Sequence, residues 1–518
     1  CHVAHRDLGQ GVELVEQCTA AGIDVGFEGG HHRGEKGPTI TEVVLQGAGV
    51  PLLGDPGDLP QRHSFDAALG EQGSSGGDQL GLGAGGRGRL SHENPLVADN
   101  TFELECNTLE LALLHAERNP MDFTISEQME TILDMVDTFV DDELIPLEGE
   151  MLFGDDDTLA REITRKQEKV RQMELWAPGH PVEYGGLGLS LLDHGLLTEA
   201  LGRSPLGHLV FGTQAPDAGN VEILHEYASD EQRERFLDPL VRGEIRSCFS
   251  MTEPETAGSN PILLETTARK DGDDYVINGQ KWFTSSADGS AFAIVMAVTD
   301  PDAPPHSRAS MIIVPTDTPG FELIRNVSVM GHAGAGYATH GEVSYQSCRV
   351  PQSNLLGPEG AGFKIAQDRL GPGRIHHCMR WLGIAGRSFE MMCDRANSRV
   401  IDTDGSTLAD KQVIQHWVAE SAAEIQGARL MTLQTAWRID QEGAKAARDD
   451  ISAIKFTVAN TMLKVLDRAI QVHGALGVTD DTILSYWYRH ERAARIYDGA
   501  DEVHKTSMGR RLLRAARS

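Results

Sequence analysis

Thr266-Thr267-Ala268-Arg269-Lys270-Asp271-Gly272-Asp273-Asp274-Tyr275-Val276-Ile277-Asn278-Gly279-Gln280-Lys281-Trp282-Phe283-Thr284-Ser285 is the stretch on which the architecture turns. Thr266 to Lys270, Tyr275 to Ile277 and Lys281 to Ser285 are β-rich runs. They are separated by Asp271-Gly272-Asp273 and Asn278-Gly279, which tolerate the positive φ of tight turns and predict hairpins. Downstream, the apolar runs Phe292 to Val298 and Met311 to Val314 and the segment Gly341 to Val350 extend this texture into a small β domain over 246–358. On both sides the period becomes helical. Thr124-x-x-Glu127 reads as a capping box, followed by Ile125, Met129, Ile132, Leu133, Val136, Phe139 and Val140 on one face. Helical segments continue to about residue 245, broken by the Gly- and Pro-containing loop Ala177 to Gly188. After Gly362, long helical stretches near 362–398, 408–442 and 448–475 suggest a bundle. The fold class is therefore mostly α with a central β domain: a helical domain at 121–245, the β domain at 246–358 and a helix bundle at 359–518.

The chain has 518 residues, with 46 Lys plus Arg against 77 Asp plus Glu and a formal charge of −31. Such a surface repels nucleic acid and anionic lipid, so neither is an expected partner. No run approaches the roughly 18 consecutive apolar residues of a spanning helix. The seven cysteines, at positions 1, 18, 106, 248, 348, 378 and 393, include no CxxC. That argues against a disulfide framework or zinc ribbon and for reduced thiols in a cytoplasmic protein. Residues 1–120 are a different kind of sequence, with no Met, Trp or Tyr, a single Lys (Lys36), and 7 basic against 18 acidic residues. They have the wrong sign for a transit peptide and no apolar core for a secretory signal. They are expected to be upstream sequence preceding a natural start at Met121, or a disordered acidic extension. Gly81, Gly83 and Gly86 in this region fit GxGxxG, but no strand precedes them and no amphipathic helix follows, so a dinucleotide-binding reading is set aside. Without this stretch, 398 residues at −20 remain.

Four motifs after Met121 carry a resemblance. Cys248-Phe249-Ser250-Met251-Thr252-Glu253-Pro254 with Ala257-Gly258-Ser259 is similar to a TEPxAGS segment, here one residue longer because Glu255 and Thr256 precede Ala257. Asn278 to Ser285 resembles an NGxKxWIT strand. Gln471-Val472-His473-Gly474-Ala475-Leu476-Gly477 resembles QxxGGxG, and Tyr497-Asp498-Gly499-Ala500-Asp501-Glu502-Val503 stands where YEGTxxI is usual. In this order and spacing they resemble the flavin-dependent acyl-CoA dehydrogenases from about Phe123 to Arg514. The resemblance implies an acyl-CoA dehydrogenase-like fold, with an N-terminal helical domain, a middle β-barrel and a C-terminal four-helix bundle, and FAD as cofactor. Gripping a flavin calls for backbone amides, small hydroxyls and an aromatic wall. Thr252, Ser259, Phe283 and Ser285 supply these from the β domain, and the resemblance places Phe283 and Ser285 against the flavin ring. By resemblance, Arg399, Gln471 and Gly474 reach the adenine end of a neighbouring subunit's flavin, and Ala500 and Glu502 also lie against the cofactor. Plainer readings stand beside these: Phe283 as a core aromatic, and Arg399 as a solvated charge at a helix end.

Desaturating a thioester requires a base for the α-proton as hydride leaves the β-carbon. The resemblance places that base at Asp498, where most members have Glu; a minority carry it at a position matching Gly373, which has no side chain to offer. Burial beside a flavin is expected to raise the Asp498 pKa. The plainer reading of Asp498 is a helix N-cap. Tyr497 is expected to line the acyl pocket, and Arg374 to pair with the base or orient its helix as a substrate-side residue. The run Leu370 to Arg380 resembles an Asp-base branch that includes acyl-CoA dehydrogenase family members ten and eleven. His376 and His377 point about 100° apart on a helix and cannot easily share an ion, so no metal is expected. The implied reaction is acyl-CoA desaturation as in fatty acid β-oxidation, in a homotetramer or homodimer, with an electron-transfer flavoprotein reoxidising the flavin. Alternatives are a nitroalkane oxidase-like or acyl-CoA oxidase-like flavoenzyme, and a non-catalytic subunit of a mixed oligomer.

Overall fold

The computed structural model describes residues 124–517 and two short strands, β1 (Asp24–Phe27) and β2 (Val43–Gln46), which pair antiparallel within a separate unit. Most of 1–120, including the GxGxxG glycines and Cys1, Cys18 and Cys106, lies outside the described residues.

Helices of eight or more residues are numbered in chain order. α1 (Glu127–Phe139), α2 (Asp156–Gln172), α3 (Leu191–Leu201) and α4 (Asp217–Tyr227) precede the sheet. The α1 cap falls on Ser126, whose hydroxyl accepts from Met129 N at 3.1 Å, and not on Thr124 as the capping box predicted. The apolar face stands as read, with Met129, Ile132, Val136 and Phe139 buried.

The central domain contains β3 (Ser247–Ser250), β4 (Thr267–Asp271), β5 (Asp274–Ser285), β6 (Phe292–Val298), β7 (Ala309–Pro315), β8 (Phe321–Asn326), β9 (His340–Pro351) and β10 (Leu355–Leu356). They form one eight-stranded sheet, ordered β10-β7-β6-β4-β5-β9-β8, with β3 pairing β6. Asp271 pairs with Asp274 across a tight turn where Gly272 takes a φ of +62°, as expected. Asn278-Gly279 is not a turn. It lies inside β5 as a bulge against β9, with Gly279 at φ +154° and the Asn278 side chain accepting from Ser347 N at 2.8 Å. The dipeptide's tolerance of unusual φ serves a bulge as well as a hairpin, and long-range pairing with β9 selects the bulge.

β6 explains how the sheet joins its surroundings. Alternate side chains point to opposite faces. Phe292, Ile294 and Met296 enter a core shared with Leu224, Phe236 and Ile365, while Ala293, Val295 and Ala297 enter another with Tyr275, Ile277 and Tyr345. A strand buried on both faces is apolar throughout, which is why it reads as a continuous run.

After the sheet come α5 (Gly362–Ser398), α6 (Gln412–Glu442), α7 (Arg448–His473), α8 (Ile483–Glu491) and α9 (Asp501–Ala515). Phe139, Leu197 and Leu201 of the first helices share a core with Trp381, Val458, Met462 and Trp487 of the bundle. Across that contact Arg387 Nη2 donates to Glu148 Oε2 at 2.8 Å, and on the N-terminal side Ser204 Oγ donates to Glu148 Oε1 at 3.0 Å. Among the described residues, no helix is long and apolar enough to cross a membrane.

Candidate functional site

Two of the sequence motifs are locked together by a buried ion pair. Lys281 Nζ lies 2.9 Å from Glu253 Oε1 and 2.8 Å from the Met251 carbonyl, with the lysine side chain fully buried. The carboxylate also accepts the backbone N–H groups of Glu265 (2.7 Å) and Thr266 (2.9 Å). Burial pushes the Glu253 carboxyl up, but the Lys281 charge and these hydrogen bonds outweigh it and hold it below its usual range. Thr252, next to Glu253, donates to Trp282 O at 2.8 Å and accepts Trp282 N–H at 3.1 Å through its backbone carbonyl. A second register shift in β5, between Lys281 and Thr284, leaves Phe283 at φ +48° and turns it outward to 44% exposure. The core-aromatic reading of Phe283 is therefore not what the fold shows. Its ring lies 5.8 Å from that of His340, whose Nδ1 is 2.8 Å from Ser285 Oγ. A Cβ built on Gly258 would come within 2.9 Å of Thr252, so the loop closes tightly on it, with Ser259 exposed beside it.

The second group gathers where α5, α7 and the link between α8 and α9 meet. Asp498 takes a φ of +53° and Gly499 one of +98°; Asp tolerates the left-handed region better than most residues. His504 Nε2 lies 3.1 Å from the Asp498 carbonyl, and Lys455 Nζ donates to the carbonyls of Ala494 (2.6 Å) and Gly499 (2.9 Å). The N-cap of α9 is Ala500, so Asp498 does not cap it. The Asp498 carboxylate turns instead to His377, whose Nε2 is 2.9 Å from Oδ2. Arg374 is near, as expected, but its Nε donates to the Asp498 backbone carbonyl at 3.4 Å and not to the carboxylate. Burial pushes the Asp498 carboxyl up; the His377 ring, with the charges of Arg369 and Arg374, outweighs burial and holds it well below the usual carboxylate range. The expected rise is thus reversed by cations that local sequence does not bring together.

Tyr497 packs against the same groups. Its hydroxyl lies 2.9 Å from Arg380 Nη2 and 3.1 Å from Trp381 Nε1, and its ring centroid is 5.3 Å from that of His377. Arg380 and Trp381 both donate to Glu491 Oε2, at 3.0 Å each. His376, one step from His377, faces His194 at a ring separation of 4.0 Å, so the two histidines serve different neighbours. Both ring nitrogens of His180, Nε2 of His208 and Nδ1 of His376 are buried with no hydrogen-bond partner among the described residues. Burial pushes His180 and His376 down to about 4. Sequence reading missed His180, His194 and His208, because nothing local marks them as neighbours. No group of three or more His, Cys, Asp or Glu positioned to hold a metal occurs among the described residues.

The acyl-CoA dehydrogenase N-terminal, middle and C-terminal domain profiles match residues 126–244, 248–348 and 360–513. The chain is 48% identical over 334 residues (64% of this chain, 81% of the relative) to the probable acyl-CoA dehydrogenase FadE2 of Mycobacterium tuberculosis. It belongs to the acyl-CoA dehydrogenase family. Acyl-CoA dehydrogenase family member 11 of Rattus norvegicus is 38% identical over 425 residues, covering 80% of this chain and 54% of that relative. A solved chain from Mycobacterium abscessus, described as a candidate acyl-CoA dehydrogenase, has a TM-score of 0.72 at 36% identity, over 76% of this chain and 100% of its own. The chain thus spans about four fifths of FadE2 (81%) and about half of member 11 (54%).

Family membership supports a flavoprotein oxidoreductase. The β-domain face fits a flavin: it offers an outward aromatic at Phe283, hydroxyls at Thr252 and Ser285, and a loop at Gly258 too close for a side chain. The other residues of the acyl-CoA dehydrogenase pattern are carried by the helices after the sheet. Arg399 is exposed at the C-cap of α5, and Gln471 and Gly474 are exposed at the end of α7. Ala500 is half-buried at the start of α9, and Glu502 is exposed in its first turn.

Proposed function

We propose that the chain is an FAD-dependent acyl-CoA dehydrogenase that introduces an α,β double bond into an acyl-CoA thioester, with Asp498 as the base. The observation that carries this reading is the Asp498 carboxylate: one oxygen is held by His377 at 2.9 Å, and the other accepts no hydrogen bond from any described residue. The cations around it keep it ionised, and only an ionised carboxylate can take a proton. Thr252, Ser259, Phe283 and Ser285 would hold the flavin, Phe283 and Ser285 at its ring, and Ala500 and Glu502 would also lie against the cofactor. Arg399, Gln471 and Gly474 would meet the adenine end of a second subunit's cofactor. When bound, FAD supplies the acceptor for the β-hydride. Asp498 removes the α-proton, Arg374 and His504 fix its backbone, and Tyr497, braced by Arg380 and Trp381, walls the acyl side. A homotetramer or homodimer reoxidised by an electron-transfer flavoprotein completes the reading.

Anaerobic titration with a panel of acyl-CoAs tests it: bound flavin should bleach with at least one of them. Asp498→Asn should slow bleaching by about 10⁴-fold while FAD content is unchanged. An Asp498→Asn protein that bleaches normally would remove Asp498 as the base. Bleaching by nitroalkanes instead, or rapid reoxidation by air, would favour the oxidase-like alternatives.

A further inference from the structure

Aspartate is one methylene shorter than glutamate, so a base built from it depends more on where the backbone puts it. Here that backbone is fixed. Asp498 sits at φ +53°, and its carbonyl is approached by His504 Nε2 at 3.1 Å and Arg374 Nε at 3.4 Å. The remaining freedom is rotation about the two side-chain torsions, the last of which is broad for Asp. His377 removes that freedom through the 2.9 Å contact to Oδ2. The histidine is itself held: its ring is stacked on Trp381 at 5.9 Å and 20°, and Trp381 Nε1 is bonded to Glu491 at 3.0 Å.

We propose that His377 is the positioning residue for Asp498, its Nε2–H holding Oδ2 so that Oδ1 alone is presented to the substrate. This rests on Asp498 being the base. A group that locks the rotamer of a reacting side chain acts through geometry, and a displacement of about 1 Å at a reacting atom costs on the order of 100-fold in rate.

The charged and titratable groups facing the pair come from several elements. Arg369, Arg374 and Cys378 on α5 face Asp498, as do Lys455 on α7, His504 on α9 and Tyr497 on the link. Glu491 at the end of α8, His376 on α5 and His208 from the N-terminal helices face His377. Of the groups acting on Asp498, the His377 ring lowers its carboxyl most, so removing that ring should raise the pH at which Asp498 takes up a proton.

His377→Phe keeps a ring against Trp381 and Tyr497 but has no N–H, whereas His377→Gln places an amide N–H near the position of Nε2. In single-turnover flavin reduction by acyl-CoA, His377→Phe should be about 100-fold slower with unchanged FAD content, and His377→Gln should stay within about tenfold of the parent. The protonation of Asp498, read as the infrared carboxyl band missing from Asp498→Asn, should move to higher pH in both variants. Parent-like reduction by His377→Phe, His377→Gln no faster than His377→Phe, or an unmoved carboxyl band would each overturn the proposal. If His377→Phe does not fold, His377→Asn replaces it, because its shorter amide does not reach Oδ2. Asp498→Asn separates the two readings. If it abolishes bleaching while His377→Phe does not, only the role of His377 falls; if Asp498→Asn bleaches normally, the base assignment falls with it.

Discussion

Glu253 and Lys281 sit in different motifs, yet in the folded chain they are one buried pair with its lone pairs occupied by two backbone amides. Removing one partner leaves an uncompensated charge, which typically costs about 3–5 kcal/mol. Lys281→Met should therefore lower the denaturant midpoint markedly. It should also weaken FAD retention, because Phe283 and Ser285 follow Lys281 on the same strand. Equilibrium unfolding with parallel flavin absorbance would show both losses, and an unchanged midpoint would contradict the pair's importance. At this scale the sequence was uneven. Phe283, Ser285 and Asp498 could be picked out because each lies in a contiguous motif. His377 was visible only as half of a histidine pair, since its partner is supplied by a distant link and no periodicity connects them. The same distance hid the direction of the Asp498 shift, which depends on His377, Arg369 and Arg374 of α5 meeting the α8–α9 link.

Strands and helices were legible in kind and less so at their joints. The alternating and continuous apolar runs mark β5, β6 and β7, because side-chain period and burial are local properties. Asn278-Gly279 shows the limit: its conformational tolerance is local, but whether it closes a hairpin or kinks a strand depends on β9. That bulge makes a prediction of its own. A Cβ on Gly279 would come 2.3 Å from Thr266 Oγ1, at a φ of +154° that L-residues rarely adopt. Gly279→Ala should therefore destabilise the β domain by about 1–3 kcal/mol, visible as a lower melting temperature. A neutral effect would mean that the strand relaxes around the added methyl. The α1 cap slipped from Thr124 to Ser126 for a related reason: both residues can cap, and packing of the Met129, Ile132 and Val136 face sets the first turn.

In the molecule as a whole, the order helix, sheet, bundle followed from composition and period. The interior histidines did not, because they assemble from the loop after α2, from helices before the sheet, from α5 and from the last helices. Their burial links stability to pH. Burial pushes His180, His376, His490 and His504 down to about 4, from an unfolded value near 6.5. The folded state thus prefers them neutral. Their contribution is fully present above about pH 6.5 and is lost as pH falls toward 4, up to about 3 kcal/mol each. Urea midpoints measured from pH 7 to pH 4 should decline steadily, and His180→Gln should flatten part of that slope. A flat profile would mean that these rings are hydrated in solution.

α5 has 37 residues and so acts as a ruler about 55 Å long. From His377 to Arg399 it measures about 33 Å along a continuous helix, too far for both ends to meet at one reacting carbon. If Arg399 grips a cofactor whose chemistry belongs to another copy, genetic complementation should reveal it. Asp498→Asn and Arg399→Ala chains, each inactive alone, should regain up to about a quarter of parental activity when co-expressed, because one mixed site then has both its own base and its neighbour's arginine. No recovery would place Arg399 in the service of its own subunit.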